Sequence, residues 1–248
     1  MCKFRASQSA AALSAAPYSS DHYVHRILTI SAHSLNMPRA IFLCSGTGSV
    51  GEPFREAGWE VVDVDWDGRY GAEIQTDITT WDFAAAFEPG HFDVVWASPD
   101  CTQYSCAKTT GPPRDFEKAD RLVQACRDII EYLQPSCWFI ENPDSGYLKT
   151  RACIDGLPYV RVDYCMYGAP YRKRTRLWTN CTDWTPKMCD RSHCINGRHP
   201  ATAQRGYKKD DRRSGDQTFT RDQLHRLPEE LCEEIFSVCQ SACTKPDN

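Results

Sequence analysis

No stretch of this 248-residue chain approaches the roughly eighteen uninterrupted apolar residues that a membrane span requires. A soluble protein with no membrane partner is therefore expected. Internal repeats are also missing. Nor is there an excess of positive charge: the formal net charge is −4, which taken alone argues against a nucleic-acid binder. Cysteine is plentiful, at 14 residues, but the thiols follow no repeated spacing of the kind a secreted disulfide scaffold would show. Reduced thiols in an intracellular enzyme fit better, with a few of them available to a metal. A hydrophobic fraction of 41% suits one globular domain with short appendages, and a monomer is expected.

The charge is unevenly distributed. Between Arg151 and Arg213 there are 14 Lys/Arg against 6 Asp/Glu, a local excess of +8, which leaves −12 on the remainder. A basic third on an acidic body is the pattern of a polyanion-facing surface. Arginine dominates there, and its fork suits phosphate or a base edge. A solvated basic surface is the plainer alternative.

Residues 1–37 are rich in Ala and Ser and acid-poor, with Lys3, Arg5 and Arg26 against Asp21. That composition resembles an organelle transit peptide; a disordered tail, or Met37 as the true start, explains it equally well. From Pro38 onward strands and helices alternate. Strands are expected at Ala40–Cys44, Trp59–Asp65, Phe92–Ala97 and Cys137–Ile140. A strand pair near the sheet edge is expected from Tyr159–Tyr167 and Arg176–Thr179. Helical spacing marks residues 116–134, through Leu122, Cys126, Ile129, Ile130 and Leu133, and again Arg221–Cys239. The reading is α/β: a doubly wound, mostly parallel sheet with helices on both faces. The core should span residues 38–180. A small irregular basic insert follows at 181–215, and 216–248 returns to the core as a helix.

Gly46-Thr47-Gly48-Ser49-Val50-Gly51 follows the first strand and precedes a helix. Without side chains the backbone can approach a ligand, and the helix start offers free N–H groups. Asp65 ends the next strand, where a carboxylate can accept both hydroxyls of a ribose. Asp77 is placed to receive an adenine amino group, with helix or turn capping as a comparable role. Dehydrogenases share such a turn, so the turn alone does not choose the chemistry.

The decisive segment is Ala97-Ser98-Pro99-Asp100-Cys101-Thr102-Gln103-Tyr104-Ser105, at the carboxyl end of a strand, where open α/β sheets bind ligands. A thiol in such a loop is expected to be exposed, where nearby cations or helix starts can ionise it. Cys106 is the rival nucleophile. The segment resembles the Pro-Cys motif of cytosine-C5 methyltransferases, with Asp100 in place of the usual second proline. A carboxylate there should raise the thiol pKa unless a cation offsets it. Glu141-Asn142-Pro143 is similar to the family's Glu-Asn motif, and Arg172-Lys173-Arg174-Thr175-Arg176 to its Gln-x-Arg-x-Arg motif, with Arg172 where Gln is usual.

The resemblance implies a class I S-adenosylmethionine-dependent methyltransferase fold, of the short phage or viral type, acting on C5 of cytosine in DNA. RNA is the alternative polymer, and a binding protein that kept the fold without turnover is a third reading. It implies Cys101 as nucleophile, Glu141 at the cytosine N3, Arg176 at the ring carbonyl and Arg174 as its partner. Cys44, Gly46, Thr47, Gly48, Ser49, Asp65, Asp77 and Pro99 would hold S-adenosylmethionine. A duplex substrate would need its base flipped out. A role beside a restriction enzyme is one setting for such an activity.

Cys181, Cys189, Cys194 and His199, with His193 as competitor, form a candidate structural zinc site in the basic insert. The alternative is free cysteines in an irregular insert. The insert occupies the family's target-recognition position but is short. Relaxed sequence preference and salt-sensitive, phosphate-driven binding are expected. Leu227-Pro228-Glu229-Glu230-Leu231-Cys232 resembles the tail of phage-type members. The Gly-Asn-Ser-Val motif that often completes the cofactor pocket is absent, so another segment must close that side; the stretch before the first strand is the candidate.

Overall fold

The apolar run Arg39–Leu43 forms β1 at the centre of a seven-stranded sheet, its last four residues buried. In the computed structural model, residues 37–192, 194, 198–201, 203 and 219–244 are described. Residues 1–36 of the segment read as a tail or targeting peptide, and about half of the basic insert with His193 in it, lie outside them.

After β1 the chain runs through helix α1 (Glu52–Glu56), β2 (Glu60–Asp65), β3 (Ile74–Gln75), helix α2 (Phe83–Ala86), β4 (Val94–Ala97), helix α3 (Phe116–Leu133) and β5 (Cys137–Pro143). It ends with β6 (Tyr159–Asp163), β7 (Arg174–Thr179), α4 (Arg221–His225) and α5 (Glu229–Cys243). The strand order is β3-β2-β1-β4-β5-β7-β6. β1 to β5 pair in parallel, whereas β7 inserts antiparallel between β5 and β6. This is the class I methyltransferase arrangement that the resemblance implied.

Helices cover both faces. Phe54 of α1, Trp59 and Phe236 of α5 meet edge to face at 5.0–5.9 Å on one side. On the other, α3 lays Val123, Cys126, Ile129 and Leu133, all essentially unexposed, against the sheet. Burial on both sides explains why the parallel strands read as continuous apolar runs rather than alternating ones.

Three elements differ from expectation. Tyr164–Tyr167 is a 3-10 turn, because Gly168 turns into the left-handed region (φ 84°) and the buried Tyr164 and Tyr167 point into the core. β7 begins two residues earlier than expected, at Arg174. The C-terminal helix is two helices: Arg226 is extended (ψ 140°) and Pro228, which has no N–H to continue a helix, starts α5. Thr220 and Gln223 form a reciprocal capping box at the start of α4.

Strand order reverses between β1 and β4, the switch point at which open α/β sheets take ligands. Leu43 lies in register with Ala97, and Ala97 with Ile140. The loops that follow, carrying the glycine turn, Cys101 and Glu141, therefore emerge side by side.

Candidate active site

One cavity of about 280 Å³ opens at that switch point, and the glycine turn, Asp65, Pro99, Cys101 and Glu141 all line it. The chain leaves β1 through Cys44, a non-glycine residue in the left-handed region (φ 53°), then Gly46 (φ 52°) and Gly48 (φ 69°). A side chain at Gly48 would sit in that strained region and touch the Asp63 carboxylate at 3.6 Å. Burial and a hydrogen bond with Cys126 push the Cys44 thiol well up, the hydrogen bond being the larger effect. Asp65 accepts from Gly46 N–H (2.9 Å) through one oxygen and from Asp67 N–H (2.8 Å) through the other. A carboxylate has about four acceptor positions, so two remain for ligand hydroxyls. Ser49 Oγ accepts from the Leu227 N–H at 3.2 Å, joining the turn to the C-terminal segment.

Cys101 begins the loop after β4. Its thiol is not ionised in the resting site as the sequence suggested: burial and the charge of Glu141 push it up to about 11, and Lys173 opposes them only in part. Asp100 contributes less than Glu141. Its carboxylate, exposed at the cavity, accepts from Thr102 N–H (3.1 Å) and Oγ1 (2.7 Å). Glu141 is 8% exposed, and burial raises its carboxyl, again with Lys173 opposing. Its Oε1 is buried without a hydrogen-bond partner, an arrangement that costs free energy unless a ligand supplies one. Asn142, fully buried next to it, donates from Nδ2 to the Pro99 carbonyl at 2.9 Å and so ties β5 to the Cys101 loop.

The structure redistributes the basic residues. Arg174 forms a two-pronged pair with Asp163 (3.0 and 2.6 Å), which Arg172 joins at 3.1 Å. Arg176 pairs with Asp144 (2.8 Å from Nε) and lies 3.9 Å over the Tyr159 ring. Neither Arg174 nor Arg176 lines the cavity; Lys173 does, and it donates to the Leu224 carbonyl at 3.0 Å. Asp77 is likewise outside the cavity, capping its own turn by accepting from Thr79 N–H (2.9 Å) and Oγ1 (2.7 Å). Cys106 donates to the Ser145 carbonyl at 2.8 Å, away from the site.

Other lining residues, Leu227 excepted, lie outside the sequence motifs. Trp66, 71% exposed beside Asp65, offers an aromatic face. Arg221, His225 and Leu227 line the cavity from the C-terminal segment; the stretch before β1, the other candidate for that side, lies almost wholly outside the described residues. Tyr70 to Asp222 (3.1 Å) and Arg226 to Glu52 (2.9 Å) fasten the C-terminal segment. The sequence placed this segment back on the core as a helix, but nothing in its spacing assigned it to the cavity.

The zinc candidates split. Cys181 lies in disulfide contact with Cys137 of β5 (Cα–Cα 6.3 Å), contrary both to its place among the metal ligands and to uniformly reduced thiols. Cys189, Cys194 and His199 do converge.

No family model matches the chain. It is 34% identical over 218 residues to a protein named "Probable DNA (cytosine-5)-methyltransferase" of Frog virus 3 (isolate Goorha), with 81% of this chain and 100% of that protein covered. It is 28% identical over 165 residues to the type II methyltransferase M.AgeI of Thalassovita gelatinovora, covering 55% of this chain but 38% of that enzyme. A solved structure of a prophage-encoded protein of E. coli, described as a DNA modification methyltransferase, aligns at 19% identity and a TM-score of 0.44, covering 67% of this chain and 53% of that one. Identity at this level along the whole length of the viral protein establishes that the chain belongs to the DNA (cytosine-5)-methyltransferase family.

Proposed function

We propose that the chain transfers a methyl group from S-adenosylmethionine to C5 of cytosine in DNA through a covalent bond between Cys101 and C6. The observation that carries this reading is the unpartnered, buried Glu141 Oε1 in the same cavity as the Cys101 thiol. Cytosine N3 and its amino group supply the partner that Oε1 lacks.

S-Adenosylmethionine, when bound, supplies a methyl group on a positively charged sulfur. The glycine turn would receive it, with the two remaining acceptor positions of Asp65 on the ribose and the Trp66 face against the adenine. Cys101 sulfur adds to C6, and the proton it loses reaches N3 by way of Glu141. The ring then becomes an enamine whose C5 takes the methyl. The C5 proton next leaves to water, the C6–S bond breaks, and the N3 proton returns through Glu141 to the sulfur. Lys173 offsets the negative charge that Cys101 and Glu141 share. Asn142 positions the loop, and Arg174 and Arg176 act through Asp163 and Asp144.

The test is incubation with tritiated S-adenosylmethionine and 5-fluorocytosine-containing DNA or RNA. Fluorine at C5 blocks the final elimination, so a stable labelled adduct is expected with DNA and none with Cys101→Ala. An adduct with RNA alone would reassign the polymer. Cofactor binding without an adduct on either would favour a binding protein.

A further inference from the structure

Outside the methyl-transfer cavity, three sulfurs and an imidazole gather where the chain leaves β6 and returns after β7. Cys189 Sγ is 3.5 Å from Cys194 Sγ and 3.5 Å from His199 Nε2, and Cys194 Sγ is 3.1 Å from His199 Nε2. Cys165, in the 3-10 turn after β6, completes the group: its sulfur, that of Cys189 and a His199 ring nitrogen all lie within 4.8 Å of one another. Four soft or borderline donors from two separate segments therefore gather around Cys189 and His199, which both Cys165 and Cys194 approach.

We propose that Cys165, Cys189, Cys194 and His199 bind one structural zinc ion. Zn–S bonds of about 2.3 Å and Zn–N bonds of about 2.0 Å place tetrahedral ligand atoms about 3.5–3.8 Å apart, close to the 3.1–3.5 Å separations among Cys189, Cys194 and His199. Three thiolates and an imidazole with no carboxylate select zinc over calcium or magnesium, which take oxygen ligands. A closed set of four protein ligands is a structural, not a catalytic, arrangement.

The surroundings support the site. The Cys189 N–H donates to Asp163 Oδ2 at 3.0 Å, and Asp163, fully buried, also holds Arg172 and Arg174. The Ala201 N–H donates to the Pro170 carbonyl at 3.0 Å. A metal there staples the insert to the β6 edge, where little apolar core is available to do so. Cys165 replaces Cys181, whose sulfur faces Cys137.

The full-length chain, stripped of metal under reducing conditions, should bind cobalt(II) at one ion per chain. The product should show the visible bands of a tetrahedral thiolate site, and zinc should displace the cobalt. Cys165→Ser and Cys189→Ser should abolish stoichiometric binding, whereas Cys181→Ser should keep it. S-Adenosylmethionine binding, measured in parallel, reports that each variant is folded. An unaltered chain without the tetrahedral spectrum, or with Cys189 and Cys194 joined as a disulfide after purification under reducing conditions, would overturn the proposal. So would retention of metal by folded Cys165→Ser together with its loss in Cys181→Ser.

Discussion

Cys101 and Glu141 line one cavity, where burial and the Glu141 charge push the thiol up to about 11, so that it keeps its proton at neutral pH. Burial raises the Glu141 carboxyl, with Lys173 opposing. A protonated thiol beside an ionised Glu141 is the state in which the carboxylate can relay that proton. It is also the reactive state, since the thiol proton goes to cytosine N3. Measured kcat/KM should therefore fall on the acid side, as Glu141 takes a proton, and vary little with pH between that limb and the ionisation of the thiol. In Glu141→Gln the thiol must lose its proton to solvent. The residual rate should then be far lower and climb about tenfold per pH unit over that range. Lys173→Gln removes the cation that holds both groups down, so the acid limb should move to higher pH. A profile in Glu141→Gln as flat as that of the parent enzyme would count against proton relay through Glu141.

At the scale of elements, the sheet matters most where β5 carries Glu141 and Asn142 past the end of β4. Asn142→Ala removes the donor to the buried Pro99 carbonyl, at a cost of about 1–3 kcal/mol. Urea denaturation should show the lowered midpoint. Turnover should fall while S-adenosylmethionine affinity is preserved, because the glycine turn and Asp65 are untouched. Loss of both together would assign Asn142 to the fold as a whole and not to the Cys101 loop. The buried parallel strands, α1 and α3 were all legible, since continuous apolar runs and 3.6-residue spacing report burial directly. The break between α4 and α5 was less so, because apolar residues at helical spacing continue through Leu227 while Pro228 stops the hydrogen bonds. The 3-10 turn after β6 was hidden for a similar reason: tyrosines suit a strand, and only packing turned Tyr164 and Tyr167 inward.

At the scale of the molecule, the C-terminal segment closes the cofactor side by way of Leu227 on Ser49 and Arg226 on Glu52. Ligand binding should then stabilise the whole sheet rather than one loop. At S-adenosylmethionine a hundredfold above Kd the gain is about 2.7 kcal/mol, a rise in Tm of about 5–10 °C for a domain of this size. Differential scanning fluorimetry should record that rise and its absence in Asp65→Ala. An equal rise in the variant would remove Asp65 from the site.

The sequence by itself determined the alternation of strands and helices, the glycine turn with its acid, and the order of the Cys101 loop, Glu141 and the basic strand. These are local patterns, set by backbone period and by chemistry at strand ends, and they survive without knowledge of partners. Tertiary structure alone decided which cation enters the cavity, for Lys173, Arg174 and Arg176 are neighbours in one basic run. The antiparallel insertion of β7 pairs the two arginines with Asp163 and Asp144 and leaves Lys173 for Cys101 and Glu141. It likewise separated Cys181 from its supposed companions and brought Cys165 to them, because proximity between segments depends on strand register, which residue spacing does not encode. The protonated state of Cys101 belongs to the same class of outcome. A loop position suggests an exposed, ionised thiol, but the burial that overrides it comes from elements far along the chain.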